Sequence, residues 1–209
     1  MGFRVVEIFK SIEGEGKRVG TPCTFVRLAG CNLRCKYCDT GYAQRSECGT
    51  PMPLQRIVKA VRELGVANVT ITGGEPLLQD AMSIARALPE CECNIETNGS
   101  MPIPQRAPNA FFTMDWKCGC SGVSHAMLAD NLSRLTDQDV IKFVVGSEAD
   151  MDQAREVIER GTKATAYLSP VFGAIEPRQI VEYVLDNRLD ARVQVQLHKI
   201  IWDPEKRGV

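Results

Sequence analysis

Three cysteines fall within eight residues in the segment Cys31-Asn-Leu-Arg-Cys35-Lys-Tyr-Cys38-Asp39-Thr40. Thiolates this close together can wrap one compact metal centre. A structural zinc site takes four ligands, usually as two separated pairs, and the nearest fourth thiol, Cys48, lies ten residues past Cys38. Iron–sulfur clusters are also held by thiolates, usually four per cluster, so three would leave one iron of a four-iron cluster open to another ligand. The chain has nine cysteines against two histidines. An odd count, in a chain whose N-terminus meets Glu7 before any signal-peptide core could form, does not suit a disulfide framework. It points to ligation or thiol chemistry in a reducing compartment, and the expected location is cytoplasmic. Cys91/Cys93 and Cys118/Cys120 make two Cys-x-Cys pairs that would hold zinc or an auxiliary cluster only if they met in space. Free thiols are the plainer reading of those four.

A second segment, Val69-Thr-Ile-Thr72-Gly73-Gly74-Glu75-Pro76, runs a strand pattern straight into paired glycines. Glycine adopts positive φ without penalty and lets backbone approach a ligand closely. Glu75 has a simpler reading too, as an acid favouring the N-terminus of the helix that follows.

The elements that must position these segments are readable from periodicity. Strands are predicted over Arg4–Phe9, Thr24–Leu28, Val69–Thr72, Asn94–Thr97, Ala110–Asp115, Val140–Val145, Thr165–Leu168 and Val193–Leu197, most of them rich in Val, Ile, Thr or Phe. Helices are predicted over Leu54–Leu64, Ala81–Leu88, Met151–Glu159 and Pro177–Leu185, the last with proline in its first turn. Strands alternating with helices imply βαβ units and a parallel sheet, enough for a barrel that is complete or open on one side. Ligands gather at the C-terminal strand ends of such folds. The cysteine segment and the glycine pair both follow strands and therefore share that end.

Lys plus Arg total 25 against 26 Asp plus Glu, a net charge of −1, which argues against broad nucleic-acid or acidic-membrane binding. No apolar run approaches the ~20 residues needed to span a bilayer. No Gly-x-Gly-x-x-Gly or Walker lysine is present, so a nucleotide-binding fold is a poor option. No linker divides the 209 residues, so residues 1–209 are expected to form one α/β domain.

Cys-x3-Cys-x2-Cys with an aromatic before the last cysteine resembles the signature of the radical S-adenosylmethionine superfamily. The resemblance implies a single-domain partial (incomplete) β/α barrel of the radical SAM type. It implies a [4Fe–4S] cluster on Cys31, Cys35 and Cys38 whose open iron chelates S-adenosylmethionine. Reduction then yields a 5′-deoxyadenosyl radical that abstracts hydrogen. It assigns the Gly-Gly-Glu-Pro segment to the methionine end of the cofactor. A zinc knob completed by Cys48 remains the rival without catalysis.

The narrower match begins upstream, in Ile8-Phe9-Lys10-Ser11-Ile12-Glu13-Gly14-Glu15-Gly16, Gly20-Thr21-Pro22 and Phe25-Val26-Arg27-Leu28-Ala29-Gly30-Cys31-Asn32-Leu33. It continues through Cys38-Asp39-Thr40, Glu96-Thr97-Asn98-Gly99, Asp115-Trp116-Lys117, Val140-Ile141-Lys142-Phe143-Val144 and Gln196-Leu197-His198-Lys199. These segments resemble the 7-carboxy-7-deazaguanine synthases, radical enzymes of the 7-deazapurine pathway that feeds queuosine. Glu13 departs from the pattern, where Gln is commoner. The resemblance implies that a 6-carboxytetrahydropterin loses hydrogen from C6, rearranges, recovers hydrogen and releases ammonia, with S-adenosylmethionine regenerated. It places Ile12, Glu13, Gly14, Arg27 and Thr72 on the substrate. Tyr37, Cys38, Asp39, Gly74, Asp115, Trp116 and Lys117 fall to S-adenosylmethionine, and Thr40 to Mg²⁺.

Each carried-over role has a plain alternative. Arg27 could ion-pair at the surface and Thr40 cap a helix. Asp39 could pair with Arg34 or Lys36, and Glu96 could be a ribose acceptor or a surface acid. His198 is either a substrate contact or a structural histidine. The implied partners are the pterin, an electron donor such as flavodoxin and a second copy of the chain. A radical activase that makes a glycyl radical on a partner protein is the nearest alternative activity.

Overall fold

The computed structural model describes residues 2–204 and 206–209. Its strands are β1 (Phe3–Ile12), β2 (Pro22–Leu28), β3 (Thr50–Met52), β4 (Asn68–Gly73), β5 (Glu92–Thr97), β6 (Ala110–Trp116), β7 (Val140–Val145), β8 (Thr165–Pro170) and β9 (Arg192–Val193). Its helices are α1 (Leu54–Leu64), α2 (Ala81–Arg86), α3 (Asn131–Arg134), α4 (Glu148–Glu159), α5 (Pro177–Asp186) and α6 (His198–Ile201). The strands join in one sheet, ordered β3-β1-β2-β4-β5-β6-β7-β8-β9. From β2 across to β9 the neighbours run parallel, as the alternation predicts. β3 and β9 are left as edges, so the barrel is open on one side.

β1 departs from the predicted parallel arrangement. It lies antiparallel to β2, with Ile12 opposite Pro22, and antiparallel to β3. The connection from Ile12 to Pro22 is too short for a crossover, which takes a dozen or more residues. It folds instead as a turn tied by Glu13 N to Thr21 O and Gly20 N to Glu13 O, both 2.8 Å. The strand predicted over Val193–Leu197 is also shorter than expected. After Val193 the chain crosses toward the β1 turn, where Gln194 Oε1 accepts from Gly16 N at 2.6 Å and Leu197 N donates to Gly14 O at 3.1 Å. Helix α4 begins three residues earlier than its apolar period suggests, because the Ser147 hydroxyl caps Asp150 N.

Alternation along the strands sorts the two faces of the sheet by chemistry. Val26, Leu28, Ile71, Ile95, Phe112, Met114, Ile141, Phe143 and Leu168 point to one layer, where α1, α2, α4 and α5 cover them. Each fully buried Phe or Leu there contributes about 1.5–3 kcal/mol. The intervening residues, among them Arg27, Thr72, Glu96, Thr113, Asp115 and Lys142, line the other face. The main apolar layer thus lies between sheet and helices, and the concave face of the sheet is polar.

Candidate active site

The concave face holds a cleft of about 480 Å³ whose wall runs from β1 round to the segment after β9. A larger groove of about 620 Å³ lies outside, over α1, and is lined by Leu54, Val58, Lys59, Arg62 and neighbours without a thiol or a buried charge.

One wall of the cleft is made of loops. The cysteine loop leaves β2 and returns on itself through Gly30 N to Ala43 O (2.8 Å) and Cys31 N to Gln44 O (2.9 Å), while Lys36 N to Ser121 O anchors its tip. Cys31, Cys35 and Cys38 are all half-buried and all line the cleft. Burial pushes the Cys31 and Cys35 thiols up, and the Lys117 charge works against that rise at Cys35. Among the described residues, no three His, Cys, Asp or Glu side chains converge on a single metal ion. Cys48 is exposed, Cys91, Cys93 and Cys118 are buried, and Cys120 is half-buried.

The glycine pair works by close packing of backbone on backbone. A Cβ on Gly73, whose φ is +130°, would lie 2.0 Å from Leu28 O, and one on Gly74 would lie 2.1 Å from Gly30 O. That proximity lets Gly74 N donate to Leu28 O and Glu75 N to Gly30 O, locking the β4 end to the cysteine loop. Glu75 is fully buried. It caps Leu77 N, as its simpler reading holds, and also accepts from Thr97 Oγ1 and Asn98 N.

The opposite wall is made of charges. Lys142 Nζ donates to Glu15 Oε2 and lies 3.5 Å from Asp115 Oδ2, which also accepts from Lys117 Nζ at 2.8 Å. Burial works against charge on both lysines, but the facing carboxylates overcome it: Lys142 is held well above its usual range and Lys117 is raised. Lys142 in turn overcomes burial at Glu15 and holds that carboxyl down. Gln196 Nε2 closes the chain on Glu15 Oε1 at 2.6 Å. Thr72 donates to Glu96 at 2.8 Å, so Glu96 is a cleft residue rather than a surface acid. Glu13 is buried at the floor, accepts from Thr70 and sits 3.5 Å from Arg18. Burial and the nearby Glu96 push its carboxyl up to about 7.

Ile12, Glu13, Gly14, Arg27, Thr40, Thr72, Tyr37, Asp39, Gly74, Asp115 and Lys117 all line the cleft with the three cysteines. Trp116 does not follow them: alternation along β6 turns Asp115 inward and packs Trp116 against the apolar layer. Arg27 pairs with Glu7 at 2.7 Å between the rings of Phe9 and Tyr42, yet its place is the cleft wall rather than the open surface. Asp39 pairs with Lys199 of α6 at 3.3 Å rather than with Arg34 or Lys36. Thr40 precedes a single 3-10 turn over Gly41–Ala43 but makes no side-chain cap; its hydroxyl meets Cys38 Sγ at 3.7 Å instead. His198 packs on Gly14, where a Cβ would lie 2.2 Å from its Nδ1. Burial pushes its imidazole pKa down.

The residues fit a thiolate-held cluster with a polar ligand beside it. Three thiols share one wall, and two buried polar atoms of cleft residues, Tyr37 Oη and Asp115 Oδ1, have no hydrogen-bond partner among the described residues. Sequence reasoning gave no role to Glu15, Lys142 or Lys199. Lys142 did carry a signal, as the one charge inside the apolar run Val140–Val145; Glu15 carried none.

Residues 25–109 match the Radical SAM superfamily, which agrees with an open α/β barrel bearing three thiols at its strand ends. The 7-carboxy-7-deazaguanine synthase of Clostridium acetobutylicum is 44% identical over 100% of both chains. That of Chlorobaculum tepidum is 41% identical over 98% of this chain and 96% of its own. The crystal structure of QueE from Escherichia coli superposes with a TM-score of 0.78 over 95% of each chain at 24% identity, sharing the fold. The chain belongs to the 7-carboxy-7-deazaguanine synthase family. Among the described residues, no helix is long and apolar enough to cross a membrane.

Proposed function

We propose that the cleft converts 6-carboxy-5,6,7,8-tetrahydropterin to 7-carboxy-7-deazaguanine with loss of ammonia, a carbon–nitrogen lyase reaction. The observation that carries this reading is that the three thiols and the buried Lys117–Asp115–Lys142–Glu15 chain face one cleft of small-molecule size. A [4Fe–4S] cluster and S-adenosylmethionine, when bound, supply the radical that takes hydrogen from the substrate.

The chain's own residues bind, orient and exclude water. Cys31, Cys35 and Cys38 hold the cluster. Tyr37, Asp39, Gly74, Asp115 and Lys117 border S-adenosylmethionine, Trp116 contributing backbone alone. Ile12, Glu13, Gly14, Arg27 and Thr72 receive the pterin, with the stacked pair Phe9 and Phe25, 5.1 Å between centroids, as an apolar platform. Arg27 suits the substrate carboxylate, since a guanidinium grips carboxylates bidentately. Thr40 offers an oxygen to Mg²⁺, which takes few protein ligands and completes its shell with substrate and water.

The reading includes one radical SAM core domain over residues 1–209, a flavodoxin-type electron donor, a homodimer and a cytoplasmic location. Its test is an anaerobic reaction of the iron-reconstituted protein with S-adenosylmethionine, a reductant, Mg²⁺ and 6-carboxytetrahydropterin, read by mass spectrometry. The deazapurine acid is the expected product. Cleavage of S-adenosylmethionine without that product would overturn the substrate assignment, and no cluster would overturn the reading as a whole.

A further inference from the structure

We propose that Asn98 is a positioning residue that donates a side-chain hydrogen bond to the Cys31 thiolate and thereby raises the reduction potential of the cluster, with Glu75 and Ser100 holding it in place. The inference rests on the reading that Cys31, Cys35 and Cys38 carry an iron–sulfur cluster.

Asn98 Nδ2 lies 3.7 Å from Cys31 Sγ, within hydrogen-bonding range for sulfur. Its orientation is fixed from both ends. Asn98 Oδ1 accepts from Ser100 N at 3.0 Å and from Ser100 Oγ at 2.6 Å. A backbone N–H can only donate, so the oxygen of the amide must face Ser100 and its NH₂ must face the cysteine loop. There the second proton goes to Asn32 Oδ1 at 3.2 Å, and Asn32 Nδ2 returns to Ser100 Oγ at 2.8 Å. The three side chains make a closed ring.

The backbone beneath is fixed as well. Asn98 N donates to Glu75 Oε2 at 2.6 Å, and Glu75 N is bonded to Gly30 O, one residue before Cys31. Glu75 therefore sets the distance between the β5 end and the first cysteine. Cys31 Sγ also accepts from Leu33 N at 3.4 Å. Cys38 Sγ pairs with the Thr40 hydroxyl at 3.7 Å. Hydrogen bonds to cluster sulfurs stabilise the more negative, reduced form, and removing one lowers the potential.

The test is a redox titration of the reconstituted protein, followed by electron paramagnetic resonance of the reduced cluster. Asn98→Ala should shift the midpoint to a more negative value at full iron content, and Ser100→Ala, which removes one of the two hydrogen bonds that orient the amide and keeps the backbone one, should shift it less in the same direction. An unshifted midpoint in Asn98→Ala would overturn the proposal while leaving the cluster assignment standing. Failure of the unaltered protein to build a cluster would overturn both. Should Asn98→Ala not load iron, the unaltered protein labelled with ¹⁵N in its asparagine side chains decides. A hyperfine coupling from a side-chain ¹⁵N to the reduced cluster is expected, and its absence would overturn the proposal.

Discussion

The two walls of the cleft are held by different kinds of bond. The thiol wall is stitched by backbone hydrogen bonds between the loops that follow β2 and β4, with the Glu75 side chain tying in the end of β5, and it works only because Gly73 and Gly74 have no Cβ. The charged wall has backbone ties too, such as Leu197 N to Gly14 O, but its charges meet through side chains. It stands on side chains far apart in sequence, Glu15 to Lys142 across 127 residues and Glu15 to Gln196 across 181. Backbone stitching suits a rigid seat for a cluster. A buried chain of alternating charges suits a face that must meet a polar substrate, but each member leaves its neighbour uncompensated if it is lost.

The sharpest separation of the walls comes from Cys35→Ala. It should abolish cluster absorbance and product formation, while urea unfolding of the iron-free chain stays close to that of the unaltered protein, because Cys35 lies outside the apolar core. A large loss of stability would show that the thiols hold the fold rather than the cluster.

Lys142→Met attacks the other wall. It strands Glu15 and unbalances Asp115, and removing one partner of a buried pair costs about 3–5 kcal/mol. Glu15→Gln added to it should recover much of that loss in a double-mutant cycle. A cost of Lys142→Met under about 1 kcal/mol, the range of exposed pairs, would break the contrast.

Gly14→Ala tests the junction between the walls. The new Cβ would meet His198, so the variant should lose roughly 1–3 kcal/mol and bind substrate more weakly, and adding His198→Ala should restore both. No rescue would mean that α6 does not rest on Gly14.

Glu13 adds a slope in pH. The folded-state Glu13 carboxyl is pushed up to about 7 from an ordinary 4.5, so between those values the folded protein holds a proton that the unfolded chain has released. The stability tied to that proton is full below the unfolded value. It is lost as pH rises through the folded one, at about 1.4 kcal/mol for each pH unit between the two. Glu13→Gln should flatten the slope of the unfolding midpoint over that window. An unchanged slope would place the titration elsewhere.

The same contrast explains what was legible in the sequence. The thiol wall is written in contiguous motifs, because loops after parallel strands bring Cys31–Cys38 and Gly73–Glu75 together with no long-range information beyond strand order. Element types follow from periodicity, and α1 matches its predicted bounds. The antiparallel β1 was hidden because alternation does not encode direction, although the short Ile12–Pro22 connection does. The charged wall was hidden because Lys142 meets Asp115 only once the register of β7 against β6 is fixed, and meets Glu15, 127 residues away, only once the turn after β1 folds over the sheet. Asp39 misled for the same reason, since nearby cations drew attention from Lys199. Trp116 was carried into the site with its neighbours, although a strand turns alternate residues to opposite faces.

The most direct test of the central claim is isotope tracing. With 6-carboxytetrahydropterin deuterated at C6, S-adenosylmethionine recovered after anaerobic turnover should carry deuterium, because hydrogen passes to the cofactor and part of it returns. Deazapurine product with no deuterium in the recovered S-adenosylmethionine would contradict hydrogen abstraction at C6 with the cofactor regenerated in this cleft.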